Sequence, residues 1–330
     1  MNKWILTYGL LICSIFLIKG QDPQFSQFYA NPLYLNPAFA GTSIQSRVVL
    51  ASRIQWATVP GAFQTYSASY DQFMPKIKSG IGFNIYYDKA GSGGLSTTNP
   101  RIHYAYEIKI NRKIFIRPGV YAGFVFRSID FSKLTFGDQL VTDNPISGEV
   151  LFDQSISYFD YGAGALLYAP HYWFGFSVNH LNKPNQSLVE ETSRLPIKYS
   201  IHGGYRFDLK GKTALHQESI FLAAHFKSQE KFNQLDIGAY YEYNALTFGL
   251  WYRGIPVFNA ETESINNDAV ILLVGWGQNQ IHIGYSFDLT ISQLSITSGG
   301  SHEITVAYEW ANRKNRRLSR RKRIIPCAKF

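Results

Sequence analysis

From residue 45 to residue 312 the chain alternates apolar and polar positions with a period of two. This is the pattern of strands that show different faces to two environments. In SHEITVAYEWA, Ile304, Val306, Tyr308 and Trp310 share one face, and Glu303, Thr305, Ala307 and Glu309 share the other. PIKYSIHGGYRFD sets Ile197, Tyr199, Ile201, Tyr205 and Phe207 against Lys198, Ser200, His202, Arg206 and Asp208. QIHIGYSFDL sets Ile281, Ile283, Tyr285, Phe287 and Leu289 against His282, Gly284, Ser286 and Asp288. One face is bulky and apolar; the other carries charges, Ser and Gly. The pattern predicts fourteen strands, near 45–57, 61–73, 79–88, 100–110, 112–127, 155–169, 171–181, 195–209, 217–228, 232–243, 245–254, 267–278, 279–289 and 301–312. Pro118 cannot donate to a ladder, so it calls for a bulge or a strand end.

Alternation alone fits a soluble sandwich as well as a membrane barrel. The links discriminate better. After even-numbered strands they are short: PKIKS, a turn near Asn111, Pro170, KGKTALH, Asn244 and NQ. After odd-numbered strands most are long: KAGSGGLSTTN, residues 128–154, NKPNQSLVEETSR, IPVFNAETESIN and TISQLSITSGG. VPG is an exception and SQEK is intermediate. Short turns at one end and long loops at the other are the habit of outer-membrane β-barrels. An even strand count puts both barrel ends of the chain on the short-turn, periplasmic side.

The first residues fit that compartment. Lys3 precedes the apolar run WILTYGLLICSIFLI, and Gly20 follows at a cleavage point, as in a signal peptide over residues 1–20. The rival reading, a transmembrane anchor, needs about 20 apolar residues. Aromatic residues make up 16% of the chain and charged residues 17%, which agrees with a barrel facing lipid.

Residues 21–44 break the pattern. SQFYANPLYLNPAFAG holds Asn31-Pro32 and Asn36-Pro37, which favour turns and keep the chain out of helix and ladder alike. It is too apolar for a solvated linker. It fits a plug folded into the lumen, a segment packed on the periplasmic rim, or a docking site for a partner, with Asn31, Pro32, Asn36 and Pro37 as its binding residues.

Charge enters only at the other end. Residues 313–330 hold nine Lys or Arg and no acid, which leaves 23 basic against 23 acidic residues elsewhere, so the net charge of +9 belongs to the tail. In the periplasm nucleic acid is not the expected partner. Acidic lipid head groups or an acidic protein surface are, with Arg316, Arg317, Arg320, Arg321, Lys322 and Arg323 as contacts. A solvated tail is the plain alternative.

No spacing predicts a catalytic triad, a metal site or a cofactor cradle. SHEIT lacks the second His of a zinc-protease helix, and GAGALLYA is glycine spacing inside a strand. With Cys13 in the leader, Cys327 stands alone and forms no intramolecular disulfide.

Four ordered stretches carry a resemblance. QDPQFSQFYANPLYLNPAFAGT, SRIQWATVPGAFQTYSASYD (52–71), GYSFDLTISQLSITSGGSHEITVAYEW (284–310) and the closing RRKRIIPCAKF resemble the signature blocks of the PorP/SprF membrane proteins of the Bacteroidetes type IX secretion system. Ala328 stands where proline is common in such tails. The resemblance implies a barrel of about 14 strands similar to the fatty-acid-transporter type, with an N-terminal plug-like segment. It implies a non-enzymatic role in type IX secretion or gliding motility, assisting export or surface anchoring of a partner adhesin through the adhesin or its C-terminal domain and through other secretion components. A transporter for apolar small molecules is the alternative that such a fold allows.

The expected organisation is therefore a signal peptide (1–20), a plug or periplasmic segment (21–44), an all-β outer-membrane barrel (45–312) and a basic periplasmic tail (313–330).

Overall fold

The computed structural model describes residues 22–43, 46–91, 93–134, 139, 155–188, 192–213, 216–255, 266–292 and 298–310. The leader, the tail from 311 and most of 128–154, including Asp143, lie outside the described residues, as do Arg316, Arg317, Arg320, Arg321, Lys322 and Arg323.

The strands are β1 (Ser46–Gln55), β2 (Phe63–Met74), β3 (Ser79–Ala90), β4 (Leu95–Tyr106), β5 (Ile108–Lys109), β6 (Phe115–Ser128), β7 (Ser155–Tyr168) and β8 (Tyr172–Asn179). They continue as β9 (Lys198–Thr213), β10 (His216–Gln229), β11 (Phe232–Tyr243), β12 (Leu246–Ile255), β13 (Asn266–Gln278), β14 (Ile281–Thr290) and β15 (Ser301–Trp310). Each strand pairs antiparallel with its sequence neighbour. β1 pairs with β15, and both β4 and β5 pair with β6, which closes the ring. β4 and β5 are one stave interrupted at Glu107, so the wall is a closed antiparallel barrel of 14 staves.

All fourteen expected strands are present. Two links are shorter than the sequence indicated. The glycine-rich KAGSGGLSTTN is mostly strand, since β3 runs to Ala90 and β4 begins at Leu95. Pro100 had marked a strand start, yet it sits inside β4 and pairs with Ile85. The β4–β6 ladder skips Asn99 and Pro100, the side on which proline has no N–H to give. SQEK closes as a two-residue hairpin with Gln229 opposite Phe232 and Glu230 at φ 55°. Pro118 is accommodated in the same way as Pro100: its position faces the break between β4 and β5, where the Glu107 N–H bonds the Lys78 carbonyl at 2.8 Å instead.

The remaining links keep their asymmetry. At one end Asn244 (φ 54°) and Asn279 (φ 58°) form two-residue turns in the left-handed conformation that Asn tolerates. At the other end lie 129–154, 180–197, 256–265 and 291–300. We call these the short-turn end and the long-loop end.

Faces follow the alternation. Ile304, Val306 and Tyr308 point outward, and Ile102 at 68% exposure and Leu250 at 58% mark the apolar belt. Outward aromatic side chains stack at its short-turn edge, where Tyr70 and Tyr308 flank Trp310. Such girdles mark membrane interfaces. Glu303, Thr305 and Glu309 point inward and are buried.

Candidate functional site

The barrel's interior is occupied by the chain's own residues 22–43, which run its full height. Asp22 stands at the long-loop end: its carboxylate meets His180 at 2.9 Å and the Lys198 ammonium, and its N–H reaches Gln229 at 3.4 Å. Gly41 stands at the short-turn end, its N–H 2.9 Å from the Asp71 carboxylate. Of the three placements open to residues 21–44, the described residues 22–43 take the lumen: only the approach to β1 lies at the short-turn end, and Asp22 lies at the other. Its apolar side chains Phe28, Tyr29, Leu33, Leu35 and Phe39 are buried inside the barrel.

Local sequence explains the path. Pro32 opens the single turn α1 (Pro32–Leu35), and Pro37 opens a 3-10 turn over Pro37–Phe39. Asn36 holds both to the wall. Its Oδ1 accepts from the Ala38 N–H at 2.9 Å, and its Nδ2 donates to the carbonyls of Ala165 (3.2 Å) and Phe176 (3.1 Å) and lies 3.2 Å from His202 Nε2. Inward glycines let the segment touch the wall backbone. A Cβ on Gly80 would lie 1.8 Å from the Ala40 carbonyl oxygen, and one on Gly119 2.6 Å from the backbone of Ala38.

Three polar anchors hold it. At the first, Ser26 and Gln27 donate their N–H groups to the Glu303 carboxylate at 2.6 and 3.1 Å. The Ser26 hydroxyl donates to Asp288 and accepts from Arg53 and Arg253, which themselves pair with Asp288 at 2.8 and 2.9 Å. At the second, Arg117 donates to the carbonyls of Ala38 and Ala40 while pairing with Glu107 at 3.1 Å. At the third, His180 bridges Asp22 and Asp160, each at 2.9 Å, and Asp160 also pairs with Arg101 at 3.1 Å. Burial works against charge on both Asp22 and His180. The pairing outweighs it, holding the Asp22 carboxyl well below the usual carboxylate range and the His180 imidazole above its ordinary value.

The opposite half of the lumen is aromatic. Phe28, Tyr29, Leu35 and Phe39 pack on Trp173, Phe221, Tyr240 and Trp251, with Phe28 and Trp251 rings edge to face at 5.0 Å. Sequence analysis expected a lumen lined by charges, Ser and Gly. The wall is polar on β1 and β14–β15, whereas β8–β13 mix aromatic and aliphatic side chains (Trp173, Phe221, Tyr240, Trp251, Ile271, Leu273) with polar ones such as His202, Asp236 and Arg253. The signal was present in β13, whose AVILLVGWG is apolar on both faces.

Asn31, Pro32, Asn36 and Pro37 are all buried inside the barrel. Sequence reasoning missed the wall residues that hold the rest of the segment: Arg53 at Ser26, Asp71 at Gly41, Arg117 at Ala38 and Ala40, and His180 at Asp22. No group of three His, Cys, Asp or Glu converges as a metal site among the described residues.

The profile of a family described as "Type IX secretion system membrane protein PorP/SprF" matches residues 17–308. The chain belongs to this family. PorP/SprF proteins are thus secretion-system membrane components by family description, and this one is an outer-membrane β-barrel. No helix among its described residues is long and apolar enough to cross a membrane.

Several solved structures are similar to this PorP/SprF barrel. The toluene transporter TodX of P. putida is 9% identical with a TM-score of 0.47, over 84% of this chain and 93% of its own. CdiB from Acinetobacter baumannii is 7% identical with a TM-score of 0.42, over 81% and 60%. A Pseudomonas aeruginosa FadL homologue is 10% identical with a TM-score of 0.39, over 80% and 89%. No curated protein matches the sequence.

Proposed function

We propose that this PorP/SprF protein is a non-enzymatic accessory of type IX secretion, assisting export or surface anchoring of a partner adhesin, and is not itself the conduit. The observation that carries this reading is the lumen filled by residues 22–43, seated by three buried polar anchors. A secreted chain could pass only if that segment left, breaking every anchor. The barrel then acts through its two ends: the long loops on the cell surface and the short-turn end toward the periplasmic parts of the machinery, including those that drive gliding. A signal peptide over 1–20 delivers the chain there.

The basic tail serves the periplasmic side. Arg316, Arg317, Arg320, Arg321, Lys322 and Arg323 engage an acidic partner surface through several weak pairs, each on the order of 0–1 kcal/mol. Asn31, Pro32, Asn36 and Pro37 would join that contact only in a state with the segment withdrawn. Passage of apolar small molecules, the alternative reading, needs a continuous apolar path. The aromatic half of the lumen is instead packed by Phe28, Tyr29, Leu35 and Phe39.

A disulfide lock tests the proposal. A Cβ on Gly82 would lie 2.8 Å from Leu33 Cδ1, so the two positions face each other, and a gel shift under oxidation verifies that cysteines placed there bridge. On a Cys327→Ser background, Leu33→Cys with Gly82→Cys should leave adhesin display unchanged under oxidation. Display lost on oxidation and restored by reductant would mean that the segment must leave during export.

A further inference from the structure

Above the seated segment, at the long-loop end, lies a cavity of about 330 Å³. Its floor is Phe25, Phe28 and Leu35, and Trp56 and Phe232 stand at its sides. Its polar wall comes from the β10–β11 hairpin, where Lys227 pairs across the ladder with Gln234, next to Asn233.

Lys227 differs from most of the basic groups on the lumen wall. Arg47, Arg53, Arg101, Arg117 and Arg253 each meet a carboxylate within 3.3 Å, and Lys198, which lines the same cavity, is paired with Asp22. Lys227 is half-buried on the inward face of β10 and has no ion pair or side-chain hydrogen bond among the described residues. Asp236 acts on Lys227 only through space, its carboxylate being taken by Arg253 at 2.8 Å, so the half-buried ammonium keeps a contact position that a bound anion would fill. Asp268 lines the cavity from β13, and no ion pair joins it to Lys227. Its charge opposes an occupant that is anionic throughout. Trp56 adds a second sign of a built site: it holds φ 57°, a left-handed conformation costly for a bulky residue, fixed by its N–H bond to the Gly300 carbonyl at 2.8 Å.

We propose that this cavity binds, from the long-loop side, a small molecule that joins one oxyanion group, a carboxylate or a phosphate, to an apolar portion. The oxyanion meets Lys227 with Asn233 as a neighbouring donor, while the Gln234 amide stays on the Asp236 carboxylate. The apolar portion rests on Phe25, Phe28 and Trp56. Because the floor is the N-terminal segment itself, and the lumen beneath it is packed, an occupant is held there and stabilises the seated segment by binding only that state. The site goes beyond the secretion role and does not depend on it.

The test uses full-length protein in lipid nanodiscs, titrated by calorimetry with benzoate, phenyl phosphate, benzamide and inorganic phosphate. Benzoate or phenyl phosphate should bind at least about tenfold more tightly than neutral benzamide, and which of the two is tighter identifies the headgroup. Lys227→Gln should abolish the preference over benzamide and Lys227→Arg should keep it, with heat-modifiable migration on gels confirming both barrels. Four results would each overturn the proposal: no saturable binding of either aromatic anion, equal affinity for benzamide, discrimination retained in Lys227→Gln, or inorganic phosphate binding as tightly as phenyl phosphate.

Discussion

Gly119→Ala should unseat the N-terminal segment while leaving the barrel intact. A Cβ there would lie 2.6 Å from N and Cα of Ala38 and 2.8 Å from the Pro37 carbonyl carbon. Carbon atoms rest at about 3.5–4.0 Å, so the segment must retreat by about 1 Å from a wall it is packed against on both sides. Neither partner is a flexible side chain. Overpacking of this kind costs about 1–3 kcal/mol. The β6 strand itself gains, since alanine suits a strand interior better than glycine by about 0.5–1 kcal/mol. The cost therefore falls on the segment. About 2 kcal/mol raises the unseated population roughly 30-fold. A cysteine introduced by Ala30→Cys on a Cys327→Ser background reports it, because labelling tracks the open population when reclosing is fast. Maleimide labelling should accelerate by that factor while heat-modifiable migration stays normal. Unchanged labelling would refute the packing account, and loss of the barrel would refute the claim that the two are energetically separate.

Other expectations follow from the wall and the anchors. Val306→Arg puts a charge on the lipid face and should lower assembled protein by the equivalent of about 2–4 kcal/mol, with Val306→Leu near wild type in the same membrane-fraction assay. Asp288→Asn removes the carboxylate shared by Arg53 and Arg253, which keep Glu303 and Asp236 as partners, and should destabilise the folded barrel by about 1–3 kcal/mol in urea refolding. The Asp22–His180 clip should depend on pH. Its contribution is full between the unfolded values of about 3.9 for Asp and about 6.5 for His. It is lost as pH falls through the lowered Asp22 pKa or rises through the raised His180 pKa, so labelling beside Asp22 should be slowest between those limits. An epitope near Asp143 should be reached on intact cells and one near Ser319 only after permeabilisation. Truncation after Asn312 should leave the barrel assembled and abolish adhesin display.

The barrel was legible because each strand faces lipid on one side, and lipid enforces outward apolar residues such as Ile304, Val306 and Tyr308 at a strict period of two. Proline and glycine misled at the edges: Pro100 looked like a boundary, but a closed wall tolerates it where the facing ladder pauses. The inner face was only half legible. Glu303 and Thr305 read as lumen polar groups, and they are. Trp173, Phe221 and Trp251 could not be read as inward, because nothing local shows that an apolar segment more than about 130 residues upstream covers them. The same distance hides the anchors. Ser26 meets Glu303 across 277 positions, and only closure of the ring brings them together.

The most direct measurement is the conductance of purified full-length protein in planar lipid bilayers. With residues 22–43 seated along the whole lumen, the account predicts no steady ion current at modest voltage, and current appearing in Gly119→Ala. A stable ohmic conductance from the unmodified protein would contradict it, because a barrel already open could serve as a path for cargo.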